Sequence, residues 1–329
     1  MAKGKNQKLK LLYLRDYLLR NTDEDHGVTL AEITDYLSEC DITAERKSLY
    51  DDIELLRSVY GMDIILQKTA KRFEYKVVSR EFDLHELKLL GDAVESSRFI
   101  TEKKSAELIN KLKKQCSRYE ADKLSRQILC NGKVKNMNES IYHNVDSIFD
   151  AIADEVCISF KYFNYTHDKQ KQYRRGGDRY DASPFTLVYS EDKYYLIAYD
   201  KKAEEIRHFR VDRMDSIEKT KSRRAAKRYF SGIDIARYTD LHFSMFGGEL
   251  CRVRLRFDLD FANAVFDRFG RDIVTVRHGE DSFETSVQVA VSEQFFGWLA
   301  GLGGHAGILA PEDVKNRYKR YLLDLAEKA

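Results

Sequence analysis

Leu11, Leu12, Leu14, Leu18 and Leu19 recur at helical spacing and predict a first helix over residues 8–21. A second helix is predicted over 29–39, with Thr29 as its N-cap, and Cys40 and Asp41 form the turn behind it. A third runs from about 43 to 60, where Leu49, Ile53, Leu56 and Tyr60 make one apolar stripe and Gly61 provides the stop. Residues 63–66 and 73–78 then read as two short strands around the basic connection 67–72, a hairpin. Three helices followed by a hairpin is the order of a winged helix-turn-helix, and residues 1–80 are assigned to it.

Leu84, Leu87, Leu90 and Val94, then Leu108 and Leu112, keep a helical period among many charges, so 81–140 is expected to be a helical connector. The period changes at Ile141. A helix to about 153 precedes strand-like runs at 156–162, 185–189, 194–199 and 206–211, which suggest a small barrel or curled sheet spanning 141–222. Residues 223–329 alternate differently. Strand 251–257, helix 260–269, strands 273–277 and 283–289, helix 292–300, a short strand near Ile308 and helix 311–327 give a βαββαβα order, that of a ferredoxin-like sandwich. The expected fold class is therefore a multidomain α+β chain.

Composition narrows the function. With 329 residues and 43% hydrophobic content the chain can bury a core in two or three domains. Its formal net charge is only +2, and basic and acidic side chains balance within residues 1–80, so any nucleic-acid contact must rest on local clusters. The start, MAKGKNQKLK, lacks the apolar run of a signal peptide, and no later stretch is apolar enough to span a bilayer, so a cytoplasmic location without membrane contact is expected. Five widely spaced cysteines with no CxxC pair argue against a disulfide framework or a zinc knuckle, and no metal or cofactor is expected. There is no HExxH, no GxSxG elbow and no P-loop, so the chain is not expected to be an enzyme. The run GLGGHAG (301–307) follows a helix rather than a strand and reads as a helix-to-strand turn, not a dinucleotide loop.

Candidate chemistry lies in two places. The reading helix of a helix-turn-helix needs an apolar back and a hydrogen-bonding front, and Thr43, Arg46, Lys47, Ser48 and Tyr50 lie on or beside the front of helix 43–60, with Arg46 the leading candidate for a base edge. Lys68, Lys71 and Arg72 at the hairpin tip, with Lys3, Lys5, Lys8 and Lys10 at the entrance, suit phosphates on either side. Asp51 and Glu54 weaken that footprint. In the second half, period-2 alternation puts His208 and Arg210 on one face, Phe209 and Val211 on the other, and separates Tyr195, Ile197 and Tyr199 from Tyr194, Leu196 and Ala198. Guanidinium, aromatic ring and imidazole together suit a nucleotide-like anion, although an arginine pairing with Asp212 or Asp215 on the surface is the plain structural alternative. YRRGGDRY (173–180) is either a basic loop able to close over an anion or a solvated hairpin turn.

Three stretches resemble one family. ERKSLYDDIELLRSVYGMDI (45–64) is similar to the recognition helix of the bacterial WYL-domain transcription regulators, RYDASPFTLVYSEDKYYLIAYDKKAEEIRHFRVDRMDSI (179–217) to their WYL core, and WLAGLGGHAGILAPEDV (298–314) to their C-terminal extension. Tyr194, Tyr195 and Leu196 stand where the family usually has Trp, Tyr and Leu, which keeps an aromatic wall. The resemblance implies an Sm-like, SH3-type barrel regulated by a bound ligand, in several members a nucleotide or single-stranded DNA. It also implies polar pocket residues at Ser183, Tyr194 or Tyr195, His208, Arg210 and Arg213. The function expected is a homodimeric, ligand-responsive transcription regulator on a double-stranded DNA operator, with a nucleotide or single-stranded nucleic acid as effector. The alternative is a defence-associated accessory protein gripping single strands through the barrel.

Overall fold

The computed structural model describes residues 6–69, 72–128, 135, 138, 140–225, 230, 238 and 241–329. Lys3, Lys5 and Lys71, named above, lie outside them. The chain divides into two compact units, residues 1–137 and 138–329. Among the described residues no helix is long and apolar enough to cross a membrane.

In the first unit, α1 (Lys10–Asn21), α2 (Leu30–Glu39) and α3 (Arg46–Ser58) precede a hairpin of β1 (Ile64–Lys68) and β2 (Phe73–Val77). The predicted order is present, but α3 begins three residues later than the apolar stripe suggested. Thr29 caps α2 in a capping box: its Oγ1 accepts from the Glu32 amide at 3.2 Å while the Glu32 carboxylate accepts from the Thr29 amide at 2.7 Å. Thr29→Ala is expected to cost about 1 kcal/mol in urea denaturation, since the Glu32 amide loses its acceptor. Asp41 adopts a φ of 58° and Gly61 one of 68°, reversing the chain after α2 and α3. Leu14, Leu18, Ile33, Leu37, Leu49, Ile53 and Leu56 from the helices close over Ile64, Tyr75 and Val77 of the hairpin in one core. Arg57 stitches α3 to β1 by donating from Nε to the Ile64 carbonyl at 2.6 Å.

The connector forms α4 (Leu84–Ser96), α5 (Glu102–Leu112) and α6 (Arg118–Gln127), packed on Leu87, Ile109, Cys116, Leu124 and Ile128. Gly91 lets α4 approach Ile128 closely: a Cβ there would sit 2.3 Å from the tip of the Ile128 side chain, which would have to shift. The connector is tied to the helix–hairpin core by Asp23, whose carboxylate accepts from the Ser117 hydroxyl at 2.6 Å and from the His26 amide at 2.8 Å. Arg80 adds donors to the Leu19 and Thr22 carbonyls at 2.8 and 2.6 Å.

The second unit opens with α7 (Ile141–Ala153), followed by β3 (Val156–Tyr165), β4 (Lys171–Tyr173), β5 (Tyr180–Ser190), β6 (Lys193–Asp200), β7 (Glu205–Arg210) and β8 (Met214–Arg223). The sheet runs β4-β3-β5-β6-β7, and β8 returns after a single turn at Val211–Arg213 to pair with β3, which curls the sheet into a half-barrel. Its interior is aromatic: Phe209 meets Phe160, Tyr162 and Tyr180 edge-on at 5.1 to 5.5 Å. Asn144 of α7 donates to the Met214 carbonyl at 2.9 Å and fixes the helix to the curl.

A C-terminal α/β domain follows, with β9 (Glu249–Asp258), α8 (Ala262–Phe269), β10 (Thr275–His278), β11 (Ser282–Val291), α9 (Glu293–Gly301), β12 (Ala306–Ala310) and α10 (Glu312–Lys328). Its four strands are all antiparallel in the order β10-β11-β9-β12. Val253, Leu255 and Phe257 alternate inward along β9 against Val265, Phe295, Leu299 and Val314 of the helices.

Candidate functional site

β6 and β7 pair so that Tyr195 lies across from Arg210 and Ile197 from His208. Phe209 and Val211 are buried at 4% and 0% exposure, so His208 and Arg210 necessarily point to the other side. That side forms a wall of a cavity of about 870 Å³, which Tyr162, Arg174, Lys193, Arg213, His242 and residues 244–248 complete.

The structure separates the residues named from sequence. Tyr195, His208, Arg210 and Arg213 line the cavity. Tyr194 faces the opposite side of β6, its ring 5.0 Å from that of Tyr189, so the choice left open between the paired tyrosines falls on Tyr195. Ser183 is not on the cavity wall. It is buried, and its Oγ accepts from the Ala225 amide at 2.7 Å, which pins the chain leaving β8.

The electrostatics of the wall are uneven. Arg210 is held bidentately by Asp212, at 3.0 Å from Nε and 2.7 Å from Nη2, an arginine–Asp212 pair of the kind set out as the structural alternative. His208 places Nδ1 at 2.6 Å from the Met245 carbonyl and Nε2 at 2.9 Å from the Tyr238 hydroxyl. A carbonyl only accepts, so Nδ1 carries the proton and Nε2 accepts from Tyr238. Burial pushes the His208 pKa down to about 4 against the Met245 hydrogen bond, with His242 adding to the fall, so the ring is neutral at pH 7. Burial likewise raises the Tyr162 phenol, although the Arg210 amide bond and the charges of Arg213 and Arg174 oppose it, and the hydroxyl keeps its proton. Of the two carboxylates on the wall, Glu205 pairs with Arg207 at 2.6 Å, whereas Glu191 accepts from the Ser244 hydroxyl at 2.6 Å and keeps its charge.

Sequence reasoning missed Tyr238, His242 and Met245. The ring centroids of Tyr238 and His242 lie 4.3 Å apart, and both rings approach His208. Their spacing of four residues, one helical turn, was the available signal. Of the three arginines in YRRGGDRY, only Arg174 reaches the cavity. Arg175 stacks on Tyr180 at 3.9 Å and pairs with Asp200 at 2.7 Å, and Arg179 donates to the Ser159 and Ser216 carbonyls at 2.8 and 2.7 Å.

In the first unit, Thr43, Arg46, Lys47 and Tyr50 are exposed around the start of α3, and Ser48 is half-buried. Ser48 accepts from Lys10 at 2.5 Å, and the same ammonium lies 2.5 Å from Asp52. Lys10 is thereby committed to internal contacts rather than open to a phosphate. At the hairpin tip Lys68 is exposed over the Phe73 ring, whereas Arg72 is held by Glu74 at 2.5 Å with Glu32 at 3.9 Å.

Residues 143–219, from α7 into β8, match the WYL domain family, and residues 249–326, which contain the four-stranded sheet, match the WCX domain family. The chain carries a WYL domain and a WCX domain. The cavity is thus built on the WYL sheet and closed by the segment that leads into the WCX domain. No curated protein matches the chain significantly. Among solved structures it is similar to proteasome accessory factor B/C of Arthrobacter aurescens, at 19% identity over 96% of this chain and 47% of that one, with a TM-score of 0.30. It is also similar to a CRISPR Cas-related protein, at 12% identity over 89% of this chain and 76% of that one, with a TM-score of 0.36. The chain spans about half the length of the first of these.

Proposed function

We propose that this chain is a non-catalytic, ligand-responsive transcription regulator that binds duplex DNA as a homodimer and senses a nucleotide or single-stranded nucleic acid through its WYL domain. The observation that carries the reading is the cavity itself: its wall holds four arginines and a lysine against two carboxylates, Glu191 and Glu205, the second of which is paired with Arg207. Such a set favours an anionic ligand.

The DNA-binding half of the proposal treats residues 6–80 as a winged helix-turn-helix, with α3 entering the major groove and the β1–β2 hairpin as the wing. The exposure of Arg46, Lys47 and Tyr50 over a fully apolar back supports it. The curl of β3 to β8 supports an SH3-type barrel, and the β10-β11-β9-β12 order supports a ferredoxin-like sandwich in the WCX domain. The proposal places the chain in the cytoplasm, where DNA and nucleotides are both available.

The test is to select duplexes from a random pool with the intact chain and measure affinity for the winner with and without a short single strand or a mononucleotide. A selected site whose affinity shifts at least about tenfold with effector is expected, the usual size of a coupling between two sites. Recovery of no preferred duplex, together with tight single-strand binding, would replace the regulator by the accessory protein described above.

A further inference from the structure

We infer that Tyr162, Arg174 and Arg213 form the phosphate-binding subsite of the cavity, and that His208 and Arg210 are positioning residues that do not touch the phosphate. The inference rests on the sensor reading above and names the atoms that would read its ligand.

His208 has no ring nitrogen to offer, because one donates to the Met245 carbonyl and the other accepts from Tyr238. It holds residues 238 and 245 against β7 and so shapes the cavity wall. Arg210 spends its forked face on Asp212. A phosphate approaching it would meet a guanidinium already neutralised by a carboxylate.

Arg174 and Arg213 differ. Among the described residues neither has a carboxylate partner: Arg174 lies over the Tyr162 ring at 5.7 Å, and Arg213 makes only a 3.3 Å bond to the Asn164 side-chain oxygen. Asn164 orients Arg213 without cancelling its charge. Tyr162, a wall residue only 7% exposed, accepts the Arg210 amide proton at 3.2 Å, which leaves its own O–H to donate. Two guanidinium groups and one hydroxyl, contributed by β3, the turn after β4 and the turn before β8, are a donor set for the oxygens of a phosphate ester. A free nucleotide and a strand end present the same phosphate chemistry.

Binding to the intact chain would be measured with AMP, with adenosine as its phosphate-free counterpart, and with a dye-labelled six-nucleotide DNA strand. Wild type is expected to bind a phosphate-bearing probe and to prefer AMP over adenosine. Preference for the strand over AMP identifies a strand as the source, and the reverse identifies a free nucleotide. Arg174→Ala, on an exposed side chain, and Arg213→Ala are each expected to weaken phosphate binding roughly ten- to a hundredfold, the usual loss of a charge-assisted contact. Tyr162→Phe, which keeps the ring, is expected to weaken it less and to lower the preference for AMP over adenosine. His208→Gln should leave that preference unchanged even where it weakens all probes alike. Wild-type affinity in both Arg174→Ala and Tyr162→Phe would overturn the subsite while leaving the sensor reading standing. Failure of the intact wild-type chain to bind any phosphate-bearing probe would overturn the sensor reading, and the subsite with it.

Discussion

Replacing Arg46, Lys47 and Tyr50 together by Ala is expected to lower affinity for a selected duplex at least a hundredfold. A base-edge contact contributes about 1–3 kcal/mol and each lost phosphate contact also lowers the salt dependence, so the loss should be steepest at low salt. All three side chains are exposed, and the back of α3 is held independently by Leu49, Ile53 and Leu56. The thermal midpoint should therefore stay near wild type, and anisotropy titrations at two salt concentrations read the effect. The hairpin provides an internal comparison. Lys68→Ala should flatten the salt dependence more than Arg72→Ala, because Arg72 is already paired with Glu74. Undiminished affinity in the triple variant would remove α3 from the DNA-reading role.

The second large effect is expected at Asp23. This carboxylate is 4% exposed and accepts from Ser117, from the His26 backbone and side chain, and from the Asp25 amide. Burial by itself pushes the group up, but the hydrogen bonds from Ser117 and His26 outweigh it, and the pKa falls below the ordinary 3.8. A depressed carboxylate contributes stability above its unfolded pKa, and that contribution is lost as pH falls through the folded value. Asp23→Ala leaves several buried donors without an acceptor and is expected to cost about 3 kcal/mol at pH 7. Below pH 3.8 the gap to wild type should shrink, since the protonated wild-type carboxyl loses the same bonds. Urea denaturation at pH 7 and pH 3 measures both gaps, and an equal gap at the two values would show that the ionised form is not what matters.

How much of the site was legible varies residue by residue. Period 2 along β7 was enough to separate His208 and Arg210 from Phe209 and Val211, because a pleated strand has no other way to place them. The same rule divided Tyr194 from Tyr195 but was silent on which face the cavity takes. That depended on which side of β6 receives Met245, from about fifty residues downstream. Ser183 failed as a pocket residue because a short polar side chain on a strand satisfies itself with the nearest amide, here Ala225, and no local pattern foretells that amide.

What the sequence determined alone is whatever depends on a few neighbouring residues. The apolar period of α1 to α3, the Thr29–Glu32 box, the Gly61 stop and the strand alternation of the WCX sheet are set by backbone geometry and by water, and they act at short range. The tertiary structure decided the partners of the charges. Arginine has the same composition signature at positions 174, 175, 210 and 213, yet Asp200 and Asp212 claim two of them while Tyr162 and Asn164 keep the other two facing the cavity. Electrostatic pairing acts through space between elements brought together only by folding, so the charge available to a ligand is a property of the fold.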